Sequence, residues 1–322
     1  MLGAGAWGTT LARLLARSGN SVTLWGHDAS HLADLARAGV NQRYLRGIPL
    51  PQELQFESVT ARAVEGAECA IVAVPSTAFR EVTRALLDFK GLLVSVTKGI
   101  EYETGLTMSG VLRANAPQAR IVALSGPTLA MEVARDMPAA IVAASDDAEA
   151  ARQIQQLFHR PTFRVYTSAD PLGVELAGAL KNVVAIAAGI GDGFGFGDNS
   201  KAALITRGIV EIRRLGVACG AQPETFSGLS GLGDLTVTCY SRLSRNRNLG
   251  ERLGRGDKLE NILAESVAVA EGYPTARSAW HLAQHLDVVT PIIEQVYLVL
   301  YEKKNVARAL QDLTSRESKA ED

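Results

Sequence analysis

The run Val174 to Ile190, VELAGALKNVVAIAAGI, constrains the fold most. Leu176, Leu180, Val183, Val184 and Ile186 wrap nearly the whole circumference of a helix, so the segment reads as buried on every side. One charged side chain, Lys181, stands in its middle, followed by Asn182. Loss of hydration disfavours an ammonium, so the pKa of Lys181 is expected to fall toward neutrality, where a lysine can transfer protons. Its neighbours one turn away are Ala177, Gly178, Val184 and Ala185, and the small residues among them leave space for a bound molecule beside the amine. The competing reading is a core lysine whose stem packs while its head reaches water. The catalytic reading requires the amine to lie at a seam between two lobes and outside a permanent ion pair.

A chain of 322 residues is long enough for two domains. Its apolar share of 47% and charged share of 21% are those of an ordinary globular protein. A net charge of -1 provides no basic field, so neither nucleic acid nor an anionic membrane is an expected partner, and any anion site must be local. Cys69, Cys219 and Cys239 are odd in number and lack metal-knuckle spacing, which fits reduced thiols of a cytoplasmic protein. No apolar run is read as a membrane span, and no signal peptide precedes the first motif.

That motif is G-x-G-x-x-G, made by Gly3, Gly5 and Gly8 and followed by a helix pattern through Leu11, Leu14 and Leu15. The three glycines permit a tight turn, close approach of a pyrophosphate, and helix-on-strand packing. The strand that should precede them is reduced to Met1-Leu2, so the start is expected upstream of this numbering. Val22 to Trp25 is the next strand, ending in Gly26, His27 and Asp28, where such folds read the adenosine ribose. His27 suits a 2'-phosphate, and Asp28 is placed to cap the helix starting near Ser30. NADP(H) is therefore the preferred cofactor, with NAD(H) also usable. Further strands are expected at Cys69 to Val74, Leu92 to Val96, Ile121 to Leu124, Ala139 to Ala144 and Phe163 to Tyr166, with a helix over Thr77 to Leu87. This alternation predicts an α/β, mostly parallel Rossmann-type sheet with ligands at the carboxyl ends of its strands, where Lys98, Gly126 and Thr128 fall.

After a link at Ser168 to Pro171 the pattern becomes all-α, which divides the chain into a nucleotide-binding domain (1–169) and a helical substrate domain (170–322). The runs Gly189 to Gly197 and Gly228 to Asp234 read as glycine loops. Ser244, Arg245, Asn246 and Arg247 offer a fork of donors to a phosphate, or else form a solvated charge run. His281 and His285 lie four apart without a third ligand, so no metal is expected. Ser315 to Asp322 reads as a charged, frayed tail.

Taken together, GAGAWGT, LWGHD, NQRYLRGIPLP, TKGIE, SGPT with LAMEVA, ALKNVVAI, GLSGLGDL, SRNRNLG and VAEGYPT resemble the bacterial NAD(P)-dependent glycerol-3-phosphate dehydrogenases over nearly the whole chain. The resemblance implies a Rossmann-type domain joined to a helical one, with dihydroxyacetone phosphate and sn-glycerol 3-phosphate interconverted between them for phospholipid synthesis. It implies Lys181 as acid/base and Lys98 between nicotinamide and substrate. Gly126, Thr128, Asp234, Ser244, Arg245 and Asn246 would contact glycerol phosphate. Gly3, Gly5, Ala6, Trp7, Gly8, His27, Ala130, Arg245, Val269 and Glu271, with Tyr44, would line the cofactor. A homodimer is also implied. Two positions depart from the pattern: Ala6 stands where many relatives have serine, and Arg46 where many have proline. The rival functions are another lysine-dependent two-domain hydroxy-acid reductase, and a non-catalytic NADP-binding redox sensor.

Overall fold

A computed structural model describes residues 1–266 and 269–315, so the predicted tail beyond Ser315 lies outside the described residues. Up to Ser168 helices and strands alternate. They are α1 (Ala6–Ala16), β1 (Thr23–Trp25), α2 (Ala29–Ala38), β2 (Gln55–Glu57), α3 (Thr60–Ala63), β3 (Cys69–Val72), α4 (Ser76–Thr83) and β4 (Leu92–Ser95). Then come α5 (Met108–Asn115), β5 (Arg120–Ser125), α6 (Ala130–Ala134), β6 (Ala139–Ala144), α7 (Ala148–Phe158) and β7 (Phe163–Ser168). The strands lie in one sheet. β2 pairs with β1 at one side, and β3, β4, β5, β6 and β7 follow in order at the other. Leu2 joins the two sets through parallel bridges to Trp25 and Val72. The short Met1–Gly3 segment thus holds the central place, with Leu2 N–H on Ile71 O (2.7 Å) and Ala73 N–H on Leu2 O (2.7 Å).

The ladders are parallel except between β5 and β6, which run antiparallel. β3 and β4 are apolar runs buried along nearly all their length, as a strand covered on both faces must be. β2 escapes the sequence reading because it has three residues, Gln55, Phe56 and Glu57, on the sheet edge with none fully buried.

From Pro171 onward the chain is helical: α8 (Pro171–Gly193), α9 (Asp198–Ala218), α10 (Asp234–Tyr240), α11 (Arg245–Gly254), α12 (Leu259–Glu265), α13 (Gly272–His285), α14 (Pro291–Tyr301) and α15 (Val306–Thr314). Helix α8 is the axis of this part, buried at every residue from Gly173 to Ile190. By length and composition α8 could cross a membrane, contrary to the expectation that no run would qualify; here it is sheathed by protein along its whole apolar window. Its start is a tight joint. Asp170 accepts N–H bonds from Gly173 (2.9 Å) and Gln222 (3.0 Å) and the Thr225 hydroxyl (2.6 Å).

Both predicted glycine loops are corrected, the first only in part, since residues 194–197 do form a loop between α8 and α9. Helix α8 continues through Gly189 to Gly193 because those glycines bring it against α11. A Cβ on Gly189 would lie 1.9 Å from Arg247 O, and one on Gly193 would lie 2.2 Å from Glu251 O. Gly250 and Gly254 answer from α11, where a Cβ would meet Ile186 O and Ile190 O at 2.0 and 2.4 Å. The helical cost of glycine is offset by close backbone packing. Likewise Leu229–Gly233 is a turn of π-helix leading into α10, and a Cβ on Gly231 would strike Phe226 O at 2.1 Å.

Candidate active site

The carboxyl ends of β4 and β5 face the middle of α8. Gly178 allows the contact: a Cβ there would fall 2.5 Å from Ser125 Oγ and 3.5 Å from Lys98 Cγ. The space expected beside the amine at this position is therefore taken up by Ser125 and the stem of Lys98. One turn further along α8, Lys181 Nζ donates to Asp234 Oδ1 (2.9 Å) and Thr238 Oγ1 (2.6 Å). Asp234 and Thr238 are one turn apart on α10, which sets both toward the same amine. From the sheet side, Lys98 Nζ donates to Asp234 Oδ2 (2.5 Å) and to Gly126 O (3.0 Å).

Lys181 is therefore at a seam between sheet and helices, but its amine is not free of an ion pair, and that expectation is corrected. The requirement itself is too strict: Asp234 divides its charge between two ammonium groups, so the pair leaves the Lys181 pKa lowered and the amine able to release its proton. One carboxylate is shared by two ammonium groups, so the trio keeps one net positive charge. The side chains of Lys181 and Asp234 are 7% and 2% exposed, against 19% for Lys98, so Lys98 stands nearer solvent. Burial lowers the Lys181 ammonium from 10.5 to about 8; Asp234 opposes the fall and Lys98 adds to it. Thr238 was not anticipated, although its spacing from Asp234 in DLTVT carries the signal.

The serine–arginine–asparagine cluster opens α11. Ser244 caps the helix by accepting the Arg247 N–H (3.2 Å). Asn246 is buried, donates to Asn182 Oδ1 (2.8 Å) and accepts the Gly272 N–H (2.8 Å), which ties α8, α11 and α13 together beside the residue that follows the lysine. Arg247 points inward to Asp192 (2.6 Å) and Glu251 (3.0 Å). Arg245 is the exposed member and donates to Val269 O (2.7 Å). Thr128 turns its hydroxyl to Gly126 O (3.2 Å). Glu271, at the start of α13, reaches across to the sheet part. It accepts the Ser76 N–H (3.1 Å) and hydroxyl (2.5 Å), and burial raises its pKa.

The glycine motif fits a dinucleotide. Gly3 has φ +124°, and a Cβ there would press on Ala73 O at 2.6 Å. A Cβ on Gly8 would lie 1.9 Å from Gly3 O, so the helix can seat only on glycine. Among the described residues nothing lies within 4 Å of the Gly5 Cβ position, and none of their side chains caps the α1 N-terminus that begins there at Ala6. Unpaired N–H groups facing open space suit a pyrophosphate. Trp7 is half-buried on the first turn of α1, and Ala130 accepts the Thr10 hydroxyl (3.2 Å), which joins α6 to α1. His27 is exposed beyond β1, and Tyr44 is half-buried with its ring edge-on to His31 at 5.5 Å. Among the described residues no three His, Cys, Asp or Glu side chains converge as a metal-binding group.

An α/β sheet of Rossmann type, backed by a helical unit and carrying a buried lysine at their contact, is the build of a two-part nicotinamide-dependent dehydrogenase. Two family models match: the N-terminus of NAD-dependent glycerol-3-phosphate dehydrogenase over residues 1–151, and its C-terminus over residues 170–311. The chain belongs to the NAD-dependent glycerol-3-phosphate dehydrogenase family. A relative from Geobacter metallireducens, named glycerol-3-phosphate dehydrogenase (NAD(P)+), is 50% identical over 100% of this chain and 98% of its own length. One of the same name from Chlorobium limicola is 47% identical with the same coverage. The crystal structure of glycerol-3-phosphate dehydrogenase from Coxiella burnetii superposes with a TM-score of 0.95 at 37% identity, covering 98% of each chain.

Proposed function

We propose that this chain reduces dihydroxyacetone phosphate to sn-glycerol 3-phosphate, and runs the reverse reaction, with NADP(H) preferred and NAD(H) also used. The observation that carries the reading is the Lys181–Asp234–Lys98 trio at the sheet–helix seam, in a chain of this family. The bound nicotinamide supplies the hydride for C2 and accepts it in reverse. Lys181, as the ammonium, gives its proton to the C2 oxygen as negative charge develops there. Asp234 orients both lysines, and Thr238 holds the Lys181 amine from behind. Lys98, nearer solvent, adds a second positive charge over the substrate. Arg245, the exposed cation at the head of α11, grips the phosphate and so orients the reacting carbon. Gly126, Thr128, Ser244 and Asn246 complete the substrate wall. Gly3, Gly5, Ala6, Trp7, Gly8, His27, Tyr44, Lys98, Ala130, Arg245, Val269 and Glu271 line the cofactor.

We further propose that residues 1–169 and 170–322 act as two domains, that the chain works in the cytoplasm for phospholipid synthesis, and that it functions as a homodimer. The test of the reaction is oxidation of NADPH and NADH in the presence of dihydroxyacetone phosphate or unphosphorylated dihydroxyacetone. Fast turnover with the phosphate ester and a far higher KM without the phosphate is expected. Equal use of both ketones would remove the phosphate assignment and favour a hydroxy-acid type of reductase.

A further inference from the structure

We infer that Arg43 is the residue that distinguishes the 2'-phosphate of NADP(H) from the 2'-hydroxyl of NAD(H). The inference rests on the Rossmann-type nucleotide site proposed above. In such sites an acidic residue beyond the second strand of the fold holds the ribose hydroxyls, whereas a nearby arginine accommodates a 2'-phosphate. The acidic residue here is Asp28, just after β1, and it is already committed. Its Oδ1 caps α2, accepting the His31 N–H (3.0 Å) and the Ser30 hydroxyl (2.7 Å). Its Oδ2 faces Arg43 Nη1 at 3.8 Å.

Arg43 arrives from a distant loop and is held by its neighbours at this point. Asn41, fully buried, accepts the Tyr44 N–H (3.1 Å) and donates to Ala4 O (3.0 Å) and Thr9 Oγ1 (2.8 Å), which anchors the loop to the glycine turn. The Arg43 guanidinium lies over the Tyr44 ring, 5.2 Å from its centroid, and that ring meets His31 edge-on. The Arg43 side chain is 51% exposed, so its planar fork of donors is open to a ligand. Its contact with Asp28 is long and solvent-exposed, a type of pair worth little, and a phosphate dianion outcompetes it readily. Exposed His27 borders the same corner. Arg43 therefore supplies a permanent positive charge at this corner.

The test measures Kd for NADP+ and NAD+ by calorimetry on wild type, Arg43→Ala, Arg43→Lys and Asp28→Asn, without the second substrate. Arg43→Ala is expected to weaken NADP+ at least about tenfold relative to NAD+, as loss of a charge-assisted phosphate contact implies. Arg43→Lys recovers part of that ratio. Asp28→Asn keeps the helix cap, since asparagine caps as well as aspartate. It removes the competing charge, so it should raise the NADP+ to NAD+ ratio at least about twofold. A ratio within twofold of wild type in Arg43→Ala, an equal loss of both nucleotides, or a wild type that binds the two alike overturns the proposal. Discrimination that depends on Arg43 in a protein inert toward dihydroxyacetone phosphate would instead overturn the reaction proposed above and leave Arg43 standing.

Discussion

Replacing Asp234 by asparagine tests how the trio works. Both carboxylate oxygens are in use, Oδ1 on Lys181 and Oδ2 on Lys98. An asparagine keeps the size and one acceptor but removes the charge. At an effective dielectric of about 20, unit charges ~4 Å apart interact by ~4 kcal/mol, or ~3 pH units. Lys98 competes for the same carboxylate and side chains relax, so a downward shift of at least about one unit for Lys181 is the expected net effect. In wild type the amine titrates near 8. Reduction needs the ammonium, so kcat for NADPH oxidation is high below that pH and falls above it. In Asp234→Asn this limb moves to about pH 7 or lower. At pH 8 the protonated fraction then drops from about half to about a tenth, roughly a fivefold loss from ionisation alone. The assay is kcat for both proteins from about pH 6 to 10, with circular dichroism to confirm folding. A limb that stays in place or moves upward would refute the assignment of Lys181 as proton donor steered by Asp234.

Further outcomes follow from the same contacts. Lys181→Met should be folded and relatively stabilised, because Lys98 still neutralises Asp234. Wild-type stability is expected to rise between about pH 8 and 10.5, where the unfolded chain holds a proton that the native lysine lacks. That gain, about 3 kcal/mol at most, would be absent in the methionine variant, and thermal melts across this window would reveal it. Gly5→Ala should melt like wild type yet bind cofactor much more weakly, whereas Gly8→Ala should lose stability by about 1–3 kcal/mol; melting and nucleotide titration separate the two. Arg245→Ala should raise KM for dihydroxyacetone phosphate about tenfold or more in steady-state assays, and an unchanged KM would remove Arg245 from the phosphate site.

The sequence made local features visible and left out those that depend on partners far along the chain. Buried β3 and β4 announce themselves by unbroken apolar runs, and α8 by its apolar circumference. The alternation that signals a parallel sheet says nothing of the reversal at β6, because β5 and β6 are both largely buried strands and only the path through α6 sets direction. Gly189 and Gly193 misled because glycine lowers helix propensity, while the compensation comes from Gly250 and Gly254, some sixty residues later. The ion pair of Lys181 was invisible for a similar reason: Asp234 lies 53 positions away, in a stretch that reads as a glycine loop. The pKa direction was nevertheless legible, since burial is its largest cause and burial follows from the helix itself. Asn246 and Ser244 were visible as donors, but their cap and inter-helix bonds appear only once α11 is docked.

The central claim is that the Lys181 ammonium delivers the proton that accompanies hydride transfer. Single-turnover oxidation of bound NADPH by dihydroxyacetone phosphate, compared between wild type and Lys181→Ala at saturating ligand, tests it most directly. The account predicts a rate at least about 10²-fold lower in the variant with the Kd for NADPH little changed. A hydride-transfer rate equal to that of wild type would show Lys181 to be only a core lysine neutralised by Asp234.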